Sequence, residues 1–153
     1  MAGQLTLGRA AVSTVGDEVI YFAGSIRGGR GDRALYGHII RLLQSYGRVL
    51  TEHIADEGLT QEGESLGDAE IHDRDMDWLR SASCVVAEVT TPSLGVGYEI
   101  GRAVELKIPV LCLFRSEEGK KVSAMIAGCP GVTMKQYTVI SDLAGVFDEF
   151  FLG

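Results

Sequence analysis

Residues 83–89, Ser-Cys-Val-Val-Ala-Glu-Val, form the most strand-like segment of this 153-residue chain. Apolar side chains at nearly every position predict a strand buried on both faces, as in a parallel sheet covered by helices. Further runs that contain β-branched or aromatic residues predict four more strands, at 19–23, 48–53, 108–114 and 132–139.

Segments with helical periodicity lie between these strands. After Asp32, the predicted cap, apolar residues recur at i, i+3 or i+4 as far as Tyr46, and Gly47 is the predicted helix end. Further helices are predicted around 71–79, 98–106, 121–127 and 141–151. Alternating strands and helices predict an α/β fold, a flavodoxin/Rossmann-like three-layer sandwich with a five-stranded parallel sheet in the order 2-1-3-4-5.

Composition narrows the functional classes. Hydrophobic residues make up 46% and charged residues 23% of the chain, as in one globular domain, predicted over 18–153 after a flexible tail at 1–17. The net charge of -7 argues against a nucleic acid polymer as partner. Three scattered cysteines and three scattered histidines predict neither disulfides nor a metal or other cofactor. Without an apolar span or an export pattern, we expect no membrane partner and a cytoplasmic or nuclear location.

Ligands of such sheets bind beyond the carboxyl ends of the strands, where the strand order reverses. The first strand is followed there by Gly24-Ser-Ile-Arg-Gly-Gly-Arg-Gly31, directly before a helix. Glycines let backbone amides approach an anion, and Ser25 and Arg27 add a hydroxyl and a guanidinium that suit a phosphate. A flexible turn with solvated arginines is the alternative, because no established phosphate-loop motif is present.

The loop after the third predicted strand is Thr90-Thr-Pro-Ser-Leu-Gly-Val-Gly-Tyr-Glu99. Ser93 and neighbouring amides are candidates for a second phosphate contact. Glu99 is predicted in the first turn of the next helix, where the helix dipole favours a carboxylate. That position alone is also typical of a glutamate that only complements the helix N-terminus.

A second acid is expected on the helix at 71–79, which carries Asp73, Asp75 and Asp77. With the apolar residues of this helix facing the sheet, Asp75 falls at the boundary between core and solvent. The other two are i,i+4 neighbours on a more exposed face. Asp75 is therefore the best placed to project into a cleft, although the spacing leaves all three open.

Taken together, several blocks closely resemble the 2′-deoxynucleoside 5′-phosphate N-hydrolases, the Rcl-type branch of the nucleoside 2-deoxyribosyltransferase superfamily. The blocks are Tyr21-Phe-Ala-Gly-Ser-Ile-Arg-Gly-Gly-Arg, Leu50-Thr-Glu-His, Ile71-His-Asp-Arg-Asp-Met-Asp-Trp-Leu, Val86-Ala-Glu-Val-Thr, Pro92-Ser-Leu-Gly-Val-Gly-Tyr-Glu, Leu111-Cys-Leu-Phe-Arg and Ser123-Ala-Met-Ile. They stand in the family's order and extend from about Tyr21 to Ile126.

The resemblance implies hydrolysis of the N-glycosidic bond of 2′-deoxynucleoside 5′-monophosphates, giving a free base and 2-deoxyribose 5-phosphate. It assigns Glu99 as nucleophile, Asp75 as the acid beside the leaving base and Tyr21 as the active-site tyrosine. It further implies a homodimer in which Ser123 reaches the neighbouring subunit's site. The remaining substrate or phosphate contacts that it implies are Gly24, Ser25, Ile26, Arg27, Gly28, Gly29, His53, Ser93, Gly95, Gly97 and Met125.

These residue types suit that chemistry. A fixed carboxylate can capture an oxocarbenium-like anomeric carbon, and a second carboxyl group can protonate the departing base. Tyr21 could exclude ribose sterically, hydrogen-bond Glu99 or simply pack in the core. A nucleoside deoxyribosyltransferase and a non-catalytic nucleotide-binding module are the alternatives. The sequence leaves the preferred base open, with purines and 5-hydroxymethyl-pyrimidines both compatible.

Overall fold

The computed structural model describes residues 16–26, 30–51 and 66–153, and contains one five-stranded sheet. All strand pairs are parallel, in the order β2-β1-β3-β4-β5, with helices on both faces. The predicted fold class and strand order are confirmed. The predicted tail, apart from its last two residues, lies outside the described residues.

The strands are β1 (Glu18–Ala23), β2 (Gly47–Val49), β3 (Cys84–Glu88), β4 (Val110–Arg115) and β5 (Val132–Tyr137). The helices are α1 (Arg30–Leu43), α2 (Asp68–Ser81), α3 (Leu94–Glu105), α4 (Ala124–Ala127) and α5 (Leu143–Leu152), with a 3₁₀ turn at Ile140–Asp142 before α5. None of the helices in this described part combines the length and apolarity needed to cross a membrane.

Side chains of the central strands alternate between two hydrophobic cores. In β1, Ile20 and Phe22 join the core under α1 and α5, whereas Tyr21 and Ala23 join the core under α2 and α3. Every residue of β3 is buried, as its apolar sequence predicts for a strand covered on both faces. This alternation decides which helices each strand residue can reach.

Two predicted boundaries around α1 are wrong. Gly47 does not end the helix but begins β2, where a Cβ would lie 2.1 Å from the backbone oxygen of Glu18. The glycine is therefore needed for close approach of two strands. Asp32 does not cap α1 but lies in its first turn.

The predicted strand at 48–53 is also too long, because β2 ends at Val49 and the last backbone bond to β1 is donated by the Leu50 N–H to the Ile20 carbonyl at 2.9 Å. The buried Thr51 side chain continues the pairing instead: its hydroxyl accepts from the Phe22 N–H at 2.8 Å and donates to the Phe22 carbonyl at 2.5 Å. One side chain thus satisfies both backbone groups of a buried β1 residue.

We expect Thr51→Val to lower the free energy of unfolding by roughly 1–3 kcal/mol, because it leaves a buried N–H and a buried carbonyl without their partner. Urea denaturation measures this change. Thr51→Ser is the matched control: it keeps the hydroxyl and loses only a methyl group, so it should cost clearly less. Equal losses in the two variants would contradict the role of the hydroxyl.

Candidate active site

Three polar side chains from three different elements meet between the sheet and its α2/α3 layer. Tyr21 points from β1 into this layer, and its hydroxyl hydrogen-bonds the carboxylate of Glu99 on α3. Asp75, on α2, lines the same cavity of about 200 Å³ as Glu99. The structure thus brings the two candidate acids to one small space.

The environment of Glu99 favours its protonated form. Burial raises the pKa of its carboxyl group from 4.5 to about 7; the Tyr21 hydrogen bond opposes this rise, and the charge of Asp75 adds to it. The pKa of Tyr21 is raised as well, first by burial and then by the Glu99 charge, so Tyr21 remains a hydroxyl donor. Of the three roles considered for Tyr21, the structure shows two together, packing in the core and hydrogen bonding to Glu99.

Exposure separates the three aspartates of α2. The side chain of Asp75 is 23% exposed, whereas those of Asp73 and Asp77 are 79% and 81% exposed. Of the three, Asp75 alone lines the cavity with Glu99. Arg74 Nη2 lies 2.9 Å from Asp75 Oδ1 and pairs with it at the edge of that cavity.

A second cavity, of about 430 Å³, lies between the two loops singled out in the sequence and also reaches Glu99. Ser25 is buried, and its N–H donates to the Tyr36 hydroxyl at 3.1 Å, so its side chain and not its amide is available to a ligand. The residues lining this cavity are Gly24, Ser25, Ile26, Pro92, Ser93, Leu94, Gly95, Val96 and Glu99.

The start of α3 differs from the prediction. The Ser93 hydroxyl caps the helix by accepting from the Val96 N–H at 3.3 Å, so the helix begins at Leu94. Glu99 accordingly lies in the second turn and not the first, and Gly95 and Gly97 lie in the helix and not in a turn. A Cβ would meet no atom within 4 Å at Gly97 and none closer than 3.8 Å at Gly95. These glycines leave open space above the helix beside the cavities.

A third cavity, of about 620 Å³, adjoins the second at Pro92 and Ser93. Gly97, Ser123 and Met125 line it. Ser123 caps α4 by accepting from the Met125 N–H at 3.3 Å, and the Met125 side chain is largely exposed. These three predicted residues therefore lie beside Ser93, outside the cavity that holds Asp75.

The other predicted contacts, Arg27, Gly28, Gly29 and His53, lie outside the described residues. The sequence reasoning missed His72 and Tyr98, which line the cavity with Asp75 and Glu99. His72 Nε2 lies 2.9 Å from the Tyr98 hydroxyl, which also accepts from Arg102. Their spacing offered a signal, since His72 precedes Asp75 by one helical turn and Tyr98 is adjacent to Glu99.

Residues 20–136 match a family model described as nucleoside 2-deoxyribosyltransferase. A Mus musculus protein named 5-hydroxymethyl-dUMP N-hydrolase is 61% identical over 111 residues, 71% of this chain; the match spans less than two thirds, 64%, of the mouse protein. A Tetraodon nigroviridis protein with the same name is 59% identical over 137 residues, which cover 86% of this chain and 96% of that protein.

Solved structures show the same fold at low sequence identity. The Clostridium botulinum CMP N-glycosidase BcmB has a TM-score of 0.62 at 14% identity, covering 86% of this chain and 98% of its own. A 2-deoxyribosyltransferase from Bacillus psychrosaccharolyticus has a TM-score of 0.63 at 15% identity, covering 82% of this chain and 89% of its own.

The raised pKa of Glu99 predicts a pH-dependent stability. Because the folded protein holds the Glu99 proton more tightly than the unfolded chain, stability falls as the pH rises from 4.5 to about 7. Glu99→Gln removes this dependence, because glutamine does not titrate. The free energy of unfolding of wild type should therefore fall by roughly 1–3 kcal/mol, relative to that of the variant, between the lower and the higher pH. Urea denaturation at pH 4.5 and 7.5 measures it.

Tyr21→Phe tests the hydrogen bond that opposes the rise in the Glu99 pKa. The variant loses the hydrogen bond that lowers the Glu99 pKa, so a ¹³C-carboxyl titration should place its midpoint above that of wild type. A midpoint below the wild-type value would contradict this assignment of the Glu99 environment.

Proposed function

Because this chain belongs to the nucleoside 2-deoxyribosyltransferase family, we propose that it hydrolyses the N-glycosidic bond of 2′-deoxynucleoside 5′-monophosphates. The products are a free base and 2-deoxyribose 5-phosphate. The observation that carries the proposal is the pairing of Glu99 with Asp75 in one cavity, with Tyr21 fixing the Glu99 carboxylate. The names of relatives at 59–61% identity support hydrolysis of a nucleotide.

The proposed reaction has two steps, transfer of the sugar to Glu99 and hydrolysis of the resulting ester. The Glu99 carboxylate attacks C1′, the bond from C1′ to the base nitrogen breaks with its electron pair on the base, and a proton from Asp75 neutralises that base. Water then attacks C1′ of the glycosyl-Glu99 ester, gives its proton to Asp75 and releases the sugar phosphate. The sum is nucleotide plus water giving base plus 2-deoxyribose 5-phosphate, with both carboxyl groups restored.

The phosphate binds at the other end of the site, in the cavity between the two loops. Ser25 and Ser93 line it, and the N–H groups of Leu94 and Gly95, at the start of α3, have no acceptor within their own helix. We assign the guanidinium of Arg27 to this anion on the family resemblance, together with Gly28 and Gly29; all three lie outside the described residues. The phosphate end and the carboxylate end share Glu99 and Gly95, so one nucleotide spans both cavities.

Release of base from a panel of nucleotides tests the function. We expect turnover with 2′-deoxynucleoside monophosphates and not with ribonucleotides, and 5-hydroxymethyl-dUMP, named in the relatives, is the first substrate to measure. Added free base should leave the products unchanged; formation of a new nucleotide would instead indicate deoxyribosyl transfer. Saturable binding without base release would support a non-catalytic nucleotide-binding module.

Substitution of each acid tests its role, and Asp73 and Asp77 provide matched controls for Asp75. Glu99→Gln and Asp75→Asn should each lower kcat by at least about 100-fold, because each removes a group that acts on the reacting bond. Asp73→Asn and Asp77→Asn change the same chemistry on the exposed face of the same helix and should stay near wild type. Loss of activity in either control, with Asp75→Asn active, would move the acid to that position.

We further propose that the active form is a homodimer in which Ser123 completes the neighbouring subunit's phosphate site. The family resemblance implies this arrangement, and Leu94 and Met125, 97% and 83% exposed beside the third cavity, offer an apolar surface that a second copy covers. His53 belongs to the same proposed substrate site.

Mixing two inactive variants tests this arrangement. Ser123→Glu places a negative charge against the substrate phosphate, and Glu99→Gln removes the nucleophile. If Ser123 acts across the interface, a 1:1 mixture of the two should recover about a quarter of wild-type activity, since half the dimers then carry one intact site. A mixture as inactive as its components would mean that Ser123 serves its own subunit.

A further inference from the structure

A buried carboxylate on the opposite face of the sheet takes no part in the proposed chemistry. Glu88, the last residue of β3, is 1% exposed. Its Oε1 accepts from the Thr90 N–H at 2.7 Å, and its other oxygen accepts from the Tyr137 hydroxyl at the end of β5. Burial of a carboxylate is unfavourable unless it is well hydrogen-bonded, so this arrangement needs both donors.

Further hydrogen bonds hold the loop after β3, which begins beside Glu88. The Thr90 hydroxyl oxygen accepts from the Arg115 N–H at 2.8 Å, and the Thr91 hydroxyl donates to Asp32 Oδ2 at 2.8 Å. Arg115 Nη2 lies 3.7 Å from Asp32 Oδ1. The loop is thus fixed at consecutive residues, immediately before the Pro92 and Ser93 that line the phosphate cavity.

The first loop is held from the same side. The Tyr36 hydroxyl, one turn after Asp32 on α1, accepts from the Ser25 N–H, and a Cβ at Gly24 would lie 2.9 Å from the Tyr36 ring. Burial and the nearby charges of Asp32 and Glu88 raise the pKa of Tyr36, which agrees with these groups lying close together. Both phosphate-binding loops therefore rest on one group of polar side chains.

We propose that Glu88, Tyr137, Asp32 and Arg115 are positioning residues that fix the two loops relative to each other and so set the affinity for the substrate phosphate. This inference rests on the proposed function for the identity of the anion. None of the four lines the phosphate cavity among the described residues, so they act through Thr90, Thr91 and Tyr36. A shift of a fraction of an ångström between the loops separates hydroxyls and amides that must contact one phosphate together.

Tyr137→Phe is the first test, because it removes one hydroxyl donor to Glu88 and retains the ring in the core. Inorganic phosphate and 2-deoxyribose 5-phosphate serve as probes, with affinity measured by calorimetric titration and KM by base release. We expect both dissociation constants and the KM for the nucleotide to rise by about 5–10-fold, less than the loss of a direct hydrogen bond to a charged group would cause, because Tyr137 acts only through the loop.

Tyr46→Phe is the matched control. It also removes a tyrosine hydroxyl that donates to a carboxylate, that of Asp148, but far from the loops, where Tyr46 stacks on Phe151. Its phosphate affinity should stay within about twofold of wild type. Thr91→Val, which removes the bond to Asp32 from the loop itself, should weaken phosphate binding as Tyr137→Phe does, and it decides the question if Tyr137→Phe does not fold.

The outcomes separate the positioning role from a merely structural one. Weaker phosphate binding in Tyr137→Phe and Thr91→Val, but not in Tyr46→Phe, supports the proposal. Unchanged phosphate affinity in folded variants that have only lost stability overturns it, and so does equal weakening in all three. If wild type binds phosphate but releases no base from any nucleotide, the proposed function is wrong. The phosphate titrations of the variants then still test whether these residues position the loops.

Discussion

The parallel pairing of β1 with β3 is the constraint on which the site depends. Ala23, the last residue of β1, pairs with Ala87, one residue before the end of β3, so the loops that follow the two strands open on one crevice. The crevice exists because β2 lies on the other side of β1 while β4 continues beyond β3. A change of register by one residue would exchange the faces of every following side chain and separate the loops from the acids.

Side chains of these two strands alternate between the faces of the sheet, so the candidate acids and the residues that hold the loops lie on opposite faces. Tyr21 faces α2 and α3, where it meets Glu99 and Asp75, whereas Glu88 lies with the core that contains Tyr36 and Tyr137. On the proposed mechanism, bonds are broken on the first side and the loops are held from the second. If the phosphate binds at the strand ends as proposed, it is the part of the substrate that both faces influence.

The sequence predicts the features that depend on local periodicity. The strand order follows from alternating elements, and the position of Asp75 follows from the spacing of apolar residues on α2. The early start of α3 was missed because the Ser93 cap outweighs the two glycines that resemble a turn. The length of β2 was missed because a side chain, Thr51, replaces backbone pairing. The bond between Glu88 and Tyr137 joins residues 49 positions apart, and no local pattern indicates it.

The location of one proton connects the electrostatics of the site to the proposed reaction. Below pH 7 the buried Glu99 holds a proton in the free protein, yet attack on C1′ needs its carboxylate. The departing base needs a proton at the same moment, and Asp75 lies in the same cavity, paired with Arg74. Transfer of the Glu99 proton to Asp75 and then to the base meets both needs without a net change in charge of the pair. Tyr21 assists because its hydrogen bond stabilises the ionised Glu99 that such a transfer leaves behind. A carboxyl group with a raised pKa is therefore compatible with a nucleophile here, since the proton it gives up is the one that the leaving group requires.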